Sequence, residues 1–426
     1  MNILVANLGS TSFKYRLYRF ADGAESLVAQ GGYQRVTDYG RAIDSCIEVL
    51  RASGHIAVPG ELHGIGFKTV HGGDLTGCLI ADENVERALL ACADIAPAHN
   101  PTYAAGMRQF RKKFTGVPQV AVFETAFYQW MPDYARRYAV PQAWHSAGVR
   151  RYGFHGASHK FVAERSAELL GRPDIAAICR HLYEEGPRPV PGSPLRVISC
   201  HLGGSSSITS ICDGIAVDTS MGLSPQSGLP QNNRVGDLDS AAMPFAQRRL
   251  GLSANEAERQ LAEEGGLLGL SGVSSDLREI RAAALKGNRR AEMAIDVFVH
   301  AVRHWIGAFW LDQGGCEALV FTGGIGENNP WIREMICAGL CELGLIIDPE
   351  KNNAAHGETD LAADESRTRL LVIPANEELV VARETHRRLL AQAARGQVTG
   401  GTPAPRPASS LNPASRTATT PTLHHV

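Results

Sequence analysis

The sequence predicts an α/β protein built from two related units, each led by a β-hairpin. Three observations carry this. Short apolar runs are followed by glycine- and serine-rich turns, one hairpin pattern occurs twice about half a chain apart, and strands alternate with amphipathic helices. The 426 residues suit two domains or one large one, because single cores rarely grow beyond about 250–300 residues.

The first unit opens with the apolar run Ile3 to Ala6, the small polar turn Asn7-Leu8-Gly9-Ser10-Thr11-Ser12, and a returning arm in which Phe13, Tyr15 and Leu17 alternate with Lys14 and Arg16. The second opens with a strand over Leu195–Cys200 and the turn His201-Leu202-Gly203-Gly204-Ser205-Ser206-Ser207. Two further arms follow around Asp213-Gly214, a favourable hairpin turn. Leu8-Gly9…Ser12 and Leu202-Gly203…Ser206 share one pattern, which points to duplication rather than a solenoid. A third strand and turn run from Ala318 to Asn328 and lead into a helix over Trp331–Leu340. Helical periodicity also covers Tyr39–Arg51, Asn84–Cys92, His159–Leu170, Ala254–Glu264 and Arg290–Leu311. The domain boundaries expected are 1–125 with a return at about 380–392, and 126–379 for the second domain. Residues 184–194 read as a Pro/Gly-rich surface insertion. Residues 393–426, rich in Pro, Thr, Ser and Ala, read as a disordered tail.

Composition narrows the function. Hydrophobic residues make up 44% and charged residues 20%, with a formal net charge of −2, so no electrostatic footprint for nucleic acid or an anionic membrane is present. No apolar run reaches membrane-spanning length and no secretory leader is recognisable. Nine scattered cysteines without a Cys-x-x-Cys pair fit a reducing cytoplasm, with Cys337 and Cys341 expected as buried thiols on one helix.

Glycine lets backbone approach a ligand, and amides with hydroxyls can hold phosphate oxygens. Three strand-then-glycine turns in one chain therefore point to a nucleotide. The P-loop pattern is absent, and Gly323-Gly324-Ile325-Gly326 lacks the dinucleotide spacing. His155 and His159, four apart, lack the Glu of a His-Glu-x-x-His zinc site.

Five blocks in order resemble the acetate kinase family: Asn7 to Tyr15, Arg151 to His159, Cys200-His201-Leu202-Gly203, Thr322 to Asn328, and Pro374-Ala375-Asn376-Glu377-Glu378-Leu379. The resemblance runs from about Asn2 to about Leu390. It implies two similar domains of the sugar kinase, actin and Hsp70 type. It also implies ATP with magnesium (or manganese), reversible conversion of acetate to acetyl phosphate, and a cytoplasmic homodimer.

It further implies roles. His155 would hydrogen-bond the transferring phosphoryl group, Arg234 would neutralise its charge, and Glu124 would complete the catalytic set. Lys68 and His99 would lie on the substrate side. Lys14, His201, Leu202, Gly203, Gly204 and Ser205 would meet nucleotide phosphates. Asp276, Leu277 and Arg278 would face Gly324, Ile325, Gly326, Glu327 and Asn328 across the adenosine. Asn7 and Glu377 would hold the metal, a hard cation that takes oxygen ligands. Blander roles stand beside these: Asn7 as a turn cap, Lys14 as a solvated lysine, Arg234 in a surface ion pair and Asn376 as a helix cap.

Departures from the family cluster near the chemistry. Lys68 stands where the family has Arg, Glu124 where it has Asp, and Gly204-Ser205 where it has Asn-Gly. Gln231-Asn232-Asn233 replaces Met-Gly-Thr ahead of Arg234. Lys offers one point charge where Arg offers a bidentate fork, and Glu carries its carboxylate one methylene further out. Longer acids such as propionate, another phosphoryl donor, or a nucleotide-binding pseudoenzyme are the alternatives these changes raise.

Overall fold

A computed structural model describes residues 1–9, 11–97 and 99–398. The apolar runs become central strands because they are buried on both faces. In the first sheet these are β1 (Asn2–Leu8), β2 (Ser12–Ala21), β3 (Ala24–Gln34), β4 (Gly64–Thr69), β5 (Cys78–Ile80) and β6 (Gln119–Phe123). The second sheet holds β7 (Arg196–Leu202), β8 (Ser206–Cys212), β9 (Ile215–Thr219), β10 (Ala318–Thr322), β11 (Thr359–Asp360) and β12 (Arg369–Val372).

The spatial orders are β3-β2-β1-β4-β6-β5 and, from the equivalent edge, β9-β8-β7-β10-β12-β11. Each sheet has the same pairing: an antiparallel three-strand meander, two parallel neighbours, and an antiparallel edge. The duplication expected from the repeated turn is thus a duplication of the whole sheet.

Period-two alternation sends each strand's residues to two cores. In β1, Leu4, Ala6 and Leu8 pack with Ile43 and Met107 of the helices Tyr39–Ala52 and Asn100–Lys113. Ile3 and Val5 pack with Val381, Ala382 and Leu389 of the helix Glu377–Val398. In β7, Ile198, Cys200 and Leu202 pack with Phe298 and Val302 of the helix Arg289–Gln313. Val197 meets Val162 of the helix Gly156–Leu169 on the other face. Two helices that begin at the expected site, Gly156–Leu169 and Glu377–Val398, therefore cover one face of each sheet. They are joined by a fully buried ion pair, Lys160 Nζ to Glu384 Oε1 at 2.9 Å.

Four differences from the sequence reading have physical causes. The strand Ala24–Gln34 escaped notice because it is a half-exposed edge whose apolar stretch, Leu27-Val28-Ala29, is short. The turn after Thr322 is a helical segment, Gly323–Asn328. Cys337 is buried, but Cys341 is exposed, because the helix Pro330–Cys337 ends before it. The last helix continues to Val398, past the tail boundary expected at 393; residues 399–426 of that tail lie outside the described residues. Within 184–194, the first two residues finish the helix Pro173–Glu185 and the rest is mostly exposed coil. Residues 1–389 make one compact unit. No helix among the described residues is long and apolar enough to cross a membrane.

Candidate functional site

The first sheet ends in charge. Lys68 lies near the end of β4 and Glu124 just beyond β6, whose backbone is tied in by Glu124 N–H donating to Thr69 O at 2.7 Å. Lys68 Nζ donates to Glu377 Oε2 at 2.9 Å and lies 3.2 Å from Glu124 Oε1. Lys68 and Glu124, the two residues that depart from the family pattern, thus touch each other. The ammonium expected to meet the substrate is held between two carboxylates. Glu124 Oε2 and Glu377 Oε1 are buried without a hydrogen-bond partner.

Burial pushes the Glu124 carboxyl up, and Lys68 only partly counters it. Burial acts the same way on Glu377, but Lys68 and His201 outweigh it and hold that carboxyl down. Burial works against the Lys68 ammonium, yet the two carboxylates raise its pKa well above the ordinary value. Asn7 stands beside this group: its Oδ1 accepts from Tyr103 Oη at 3.2 Å. Asn7 and Lys14 also line a cavity of about 330 Å³ with Arg16, Gln30 and Glu378, and Lys14 itself is exposed. The partnerless carboxylate oxygens and the Asn7 amide are hard donors of the kind a magnesium ion takes, with water and phosphate completing its shell.

The start of the helix Gly156–Leu169 is bent to fit this end. His155 adopts a left-handed φ of 59°, and Gly156 N–H donates to Glu124 O at 3.0 Å. A Cβ at Gly156 would collide with that same carbonyl, so glycine is required. His155 stacks on His201 with ring centroids 4.2 Å apart. Its Nδ1 lies 2.8 Å from Ser207 Oγ, and His201 Nδ1 lies 2.8 Å from Ser158 Oγ. His159 bonds Ser199 and Ser207, both at 2.8 Å, so it supports the site from behind. Burial first, then neighbouring positive charge and imidazoles, pulls His155 well below its ordinary pKa. Burial also lowers His201 and His159. All three rings are neutral at physiological pH.

The second glycine turn locks onto the arginine loop. Ser205 Oγ donates to Gln231 Oε1 at 2.8 Å, and Arg234 Nη1 donates to the same oxygen at 3.4 Å. Asn232 N–H donates to Gly204 O at 3.1 Å. Arg234 has no carboxylate partner among the described residues, so the surface ion pair does not form. Burial lowers its pKa, but a guanidinium keeps its proton. The Arg234 charge is felt at His99, whose pKa falls to about 4, chiefly by burial and then through Arg234 and Lys68. Lys68, Glu124, Glu377, His155, His201, His99 and Arg234 therefore converge.

The third turn abuts the second: a Cβ at Gly203 would lie 3.9 Å from the Gly324 amide nitrogen. Glu327 Oε1 accepts from Gly323 N–H and Ala375 N–H, both at 2.9 Å, so this carboxylate ties its own turn to the segment before Glu377. Asn328 donates to Gly324 O. Leu202 and Leu277 bury their side chains in the second core, and Gly326 is buried as well. Ile325 packs against the same hydrophobic core that holds Leu277. Asp276 and Arg278 are bonded to one another, Arg278 Nη2 donating at 2.6 Å, with the guanidinium exposed.

Sequence reasoning did not single out Gln231 or Tyr103 as site residues, nor the serines at 158, 199 and 207. Gln231 carried a signal, as one of the residues that depart from the family pattern ahead of Arg234.

Comparison with known proteins follows this geometry. The sequence profile of the Acetokinase family matches residues 29–186 and 189–383. The acetate kinase of Heliobacterium modesticaldum is 40% identical over 418 residues, covering 91% of this chain and 100% of that protein. The crystal structure of Porphyromonas gingivalis acetate kinase superposes with a TM-score of 0.80 at 33% identity, covering 91% of this chain and 99% of that one. A propionate kinase from Francisella tularensis superposes with a TM-score of 0.79 at 33% identity, with the same coverage.

Proposed function

The chain belongs to the acetokinase family, and on that premise we propose that it transfers the γ-phosphoryl group of ATP reversibly to acetate, giving acetyl phosphate and ADP. An acetate oxygen attacks the γ-phosphorus, the bond from that phosphorus to the bridging oxygen breaks, and its electron pair leaves with ADP. No proton has to move, so the work of the protein is positioning and charge stabilisation.

The observation that carries this reading is the Arg234 guanidinium, which is half-buried and carries no acidic partner among the described residues. Such a charge suits phosphoryl oxygens during transfer. His155 and His201 add neutral imidazoles beside it. The amides at 203–205 and the Ser205 hydroxyl cradle the nucleotide phosphates, with Lys14 at the mouth, and 276–278 face 324–328 across the adenosine. Lys68 and His99 orient the acid, and Glu124 fixes Lys68. Glu377 and Asn7 would hold magnesium, which when bound neutralises charge on the nucleotide phosphates. We place the enzyme in the cytoplasm as a homodimer. Its first domain comprises 1–125 with 380–392, and its second comprises 126–379.

A second acid is favoured by a specific observation: the propionate kinase matches as well as the P. gingivalis acetate kinase, and Lys68 with Glu124 alters the acid side. The test offers purified enzyme Mg-ATP with acetate, propionate or butyrate and traps the acyl phosphate with hydroxylamine. Acetate as the best substrate is the expected result. Preference for the longer acids would replace acetate with that acid, and no product from any of them, with ATP still bound, would leave a nucleotide-binding module.

A further inference from the structure

Behind the stacked imidazoles runs a string of buried hydrogen bonds. Ser199 Oγ meets His159 Nδ1, His159 Nε2 meets Ser207 Oγ, and Ser207 Oγ meets His155 Nδ1, each at 2.8 Å. Ser199, Ser207 and His159 are fully buried. Each neutral imidazole carries one N–H and each serine one O–H, so the string admits two proton orders.

In the first order, Ser199 O–H donates to His159 Nδ1, His159 Nε2–H donates to Ser207, and Ser207 O–H donates to His155 Nδ1. The proton of His155 then sits on Nε2. In the second order every bond reverses, and His155 Nε2 is bare. That order strands the Ser199 proton, because His159 is the only hydrogen-bond partner of the Ser199 hydroxyl among the described residues. A buried donor left without an acceptor keeps its full desolvation cost, so the first order prevails.

We infer that Ser199, acting through His159 and Ser207, fixes His155 as the Nε2–H tautomer and so makes it a hydrogen-bond donor toward the transferring phosphoryl group. Its Nε2 has no protein partner among the described residues. The opposite tautomer would turn a lone pair toward phosphoryl oxygens. Ser158 does the same for the neighbouring ring: His201 is the only hydrogen-bond partner of its hydroxyl among the described residues, so that O–H donates to His201 Nδ1. Two stacked neutral rings thus carry N–H groups on their free nitrogens. Ser199, His159 and Ser207 are positioning residues, and their effect on rate rests on the phosphoryl-transfer reading.

The test uses full-length protein labelled with ¹⁵N-histidine, with the His155 signals assigned by their loss in His155→Gln. Long-range nitrogen–proton correlations near neutral pH should show His155 protonated on Nε2. Ser199→Ala should move those signals toward a tautomer mixture and lower kcat in proportion to the Nε2–H fraction lost, about twofold for an equal mixture. KM for ATP should stay within about twofold, and Ser199→Thr should keep wild-type signals and rate. A wild-type His155 protonated on Nδ1 overturns the inference, as does a Ser199→Ala variant with unchanged signals and kcat. If Ser199→Ala does not fold, the wild-type and Ser199→Thr spectra still decide. If the wild-type protein phosphorylates no acid, the function reading fails while the spectrum still judges the tautomer.

Discussion

The two sheets share a topology and differ at their ends. Ala6, Phe67 and Ala121 lie in one register of the first sheet, and Cys200, Phe321 and Val372 occupy the matching register of the second. The next residues along the first two strands are Asn7 and Lys68 in one sheet, His201 and Thr322 in the other. Three residues beyond the third strand's register stand Glu124 and Ala375. One end therefore concentrates charge in a lysine held by two carboxylates. Its counterpart is neutral, built from imidazole, hydroxyl and glycine backbone. Duplication supplied two equal frames. On the proposed function, charges stand on the frame that would meet acid and metal, and neutral donors on the frame that would meet nucleotide phosphates.

The sharpest way to break this contrast is to remove the two cations, Lys68 and Arg234, one at a time. Lys68 is held by two carboxylates, while Arg234 has none among the described residues. Lys68→Met leaves Glu124 and Glu377 facing each other, and removing one partner of a largely buried pair costs about 3 kcal/mol, the low end because the ammonium is partly exposed. Urea unfolding should show that loss. Arg234→Ala should leave unfolding nearly unchanged and lower kcat about 1000-fold, as loss of an arginine at a transferring phosphoryl group does. Equal stability losses in the two variants would erase the distinction between a paired and a waiting charge.

What could be read in the sequence divides along a physical line. The hairpin turns were legible because their chemistry lies within a few residues, as Leu8-Gly9 and Leu202-Gly203 show. His155, His201, Arg234 and Glu377 stood in compact motifs that could be singled out residue by residue. The edge strand Ala24–Gln34 was not legible, since half-exposed residues and the Gly31-Gly32 pair carry no apolar alternation. Pairings across long separations were also hidden. Nothing local says that Lys68 will bond Glu377, 309 residues away. Nor does the chain show that Ser205 and Arg234 share the Gln231 carbonyl, or that three serines set the protons of two imidazoles. Such contacts depend on the frame that positions both partners.

Acid should strain both ends through their neutral histidines, and His71 measures the effect behind the first sheet. It is fully buried against Tyr152 and Phe154, and its Nδ1 accepts from Gly73 N–H at 2.9 Å. Burial lowers its pKa from 6.5 to about 4. The unfolded ring takes a proton below about 6.5, but the folded ring does so only near 4, so between those values the unfolded chain binds more protons. Stability therefore falls as pH drops through this window, by about 3 kcal/mol for this group alone. Unfolding curves at several pH values should show that slope, and His71→Phe, whose ring never charges, should flatten it by about that amount. An unchanged slope would remove His71 as a source of acid sensitivity.

The smallest effect lies at the position equivalent to Lys68. Thr322 is fully buried, and its hydroxyl has no hydrogen-bond partner among the described residues. It caps the short helix Gly323–Asn328 without a side-chain capping bond. Valine has nearly the same shape, and removing a buried hydroxyl that makes no bond is neutral or stabilising, here by up to about 1 kcal/mol. Thr322→Val should therefore unfold at the same or slightly higher urea concentration, where Lys68→Met unfolds well below wild type. If the hydroxyl is left open for a phosphate oxygen, KM for ATP should rise a few-fold while stability holds. A loss of stability as large as that of Lys68→Met would show that the second sheet's end relies on polar pairing as the first does, and the contrast between charged and neutral ends would fall.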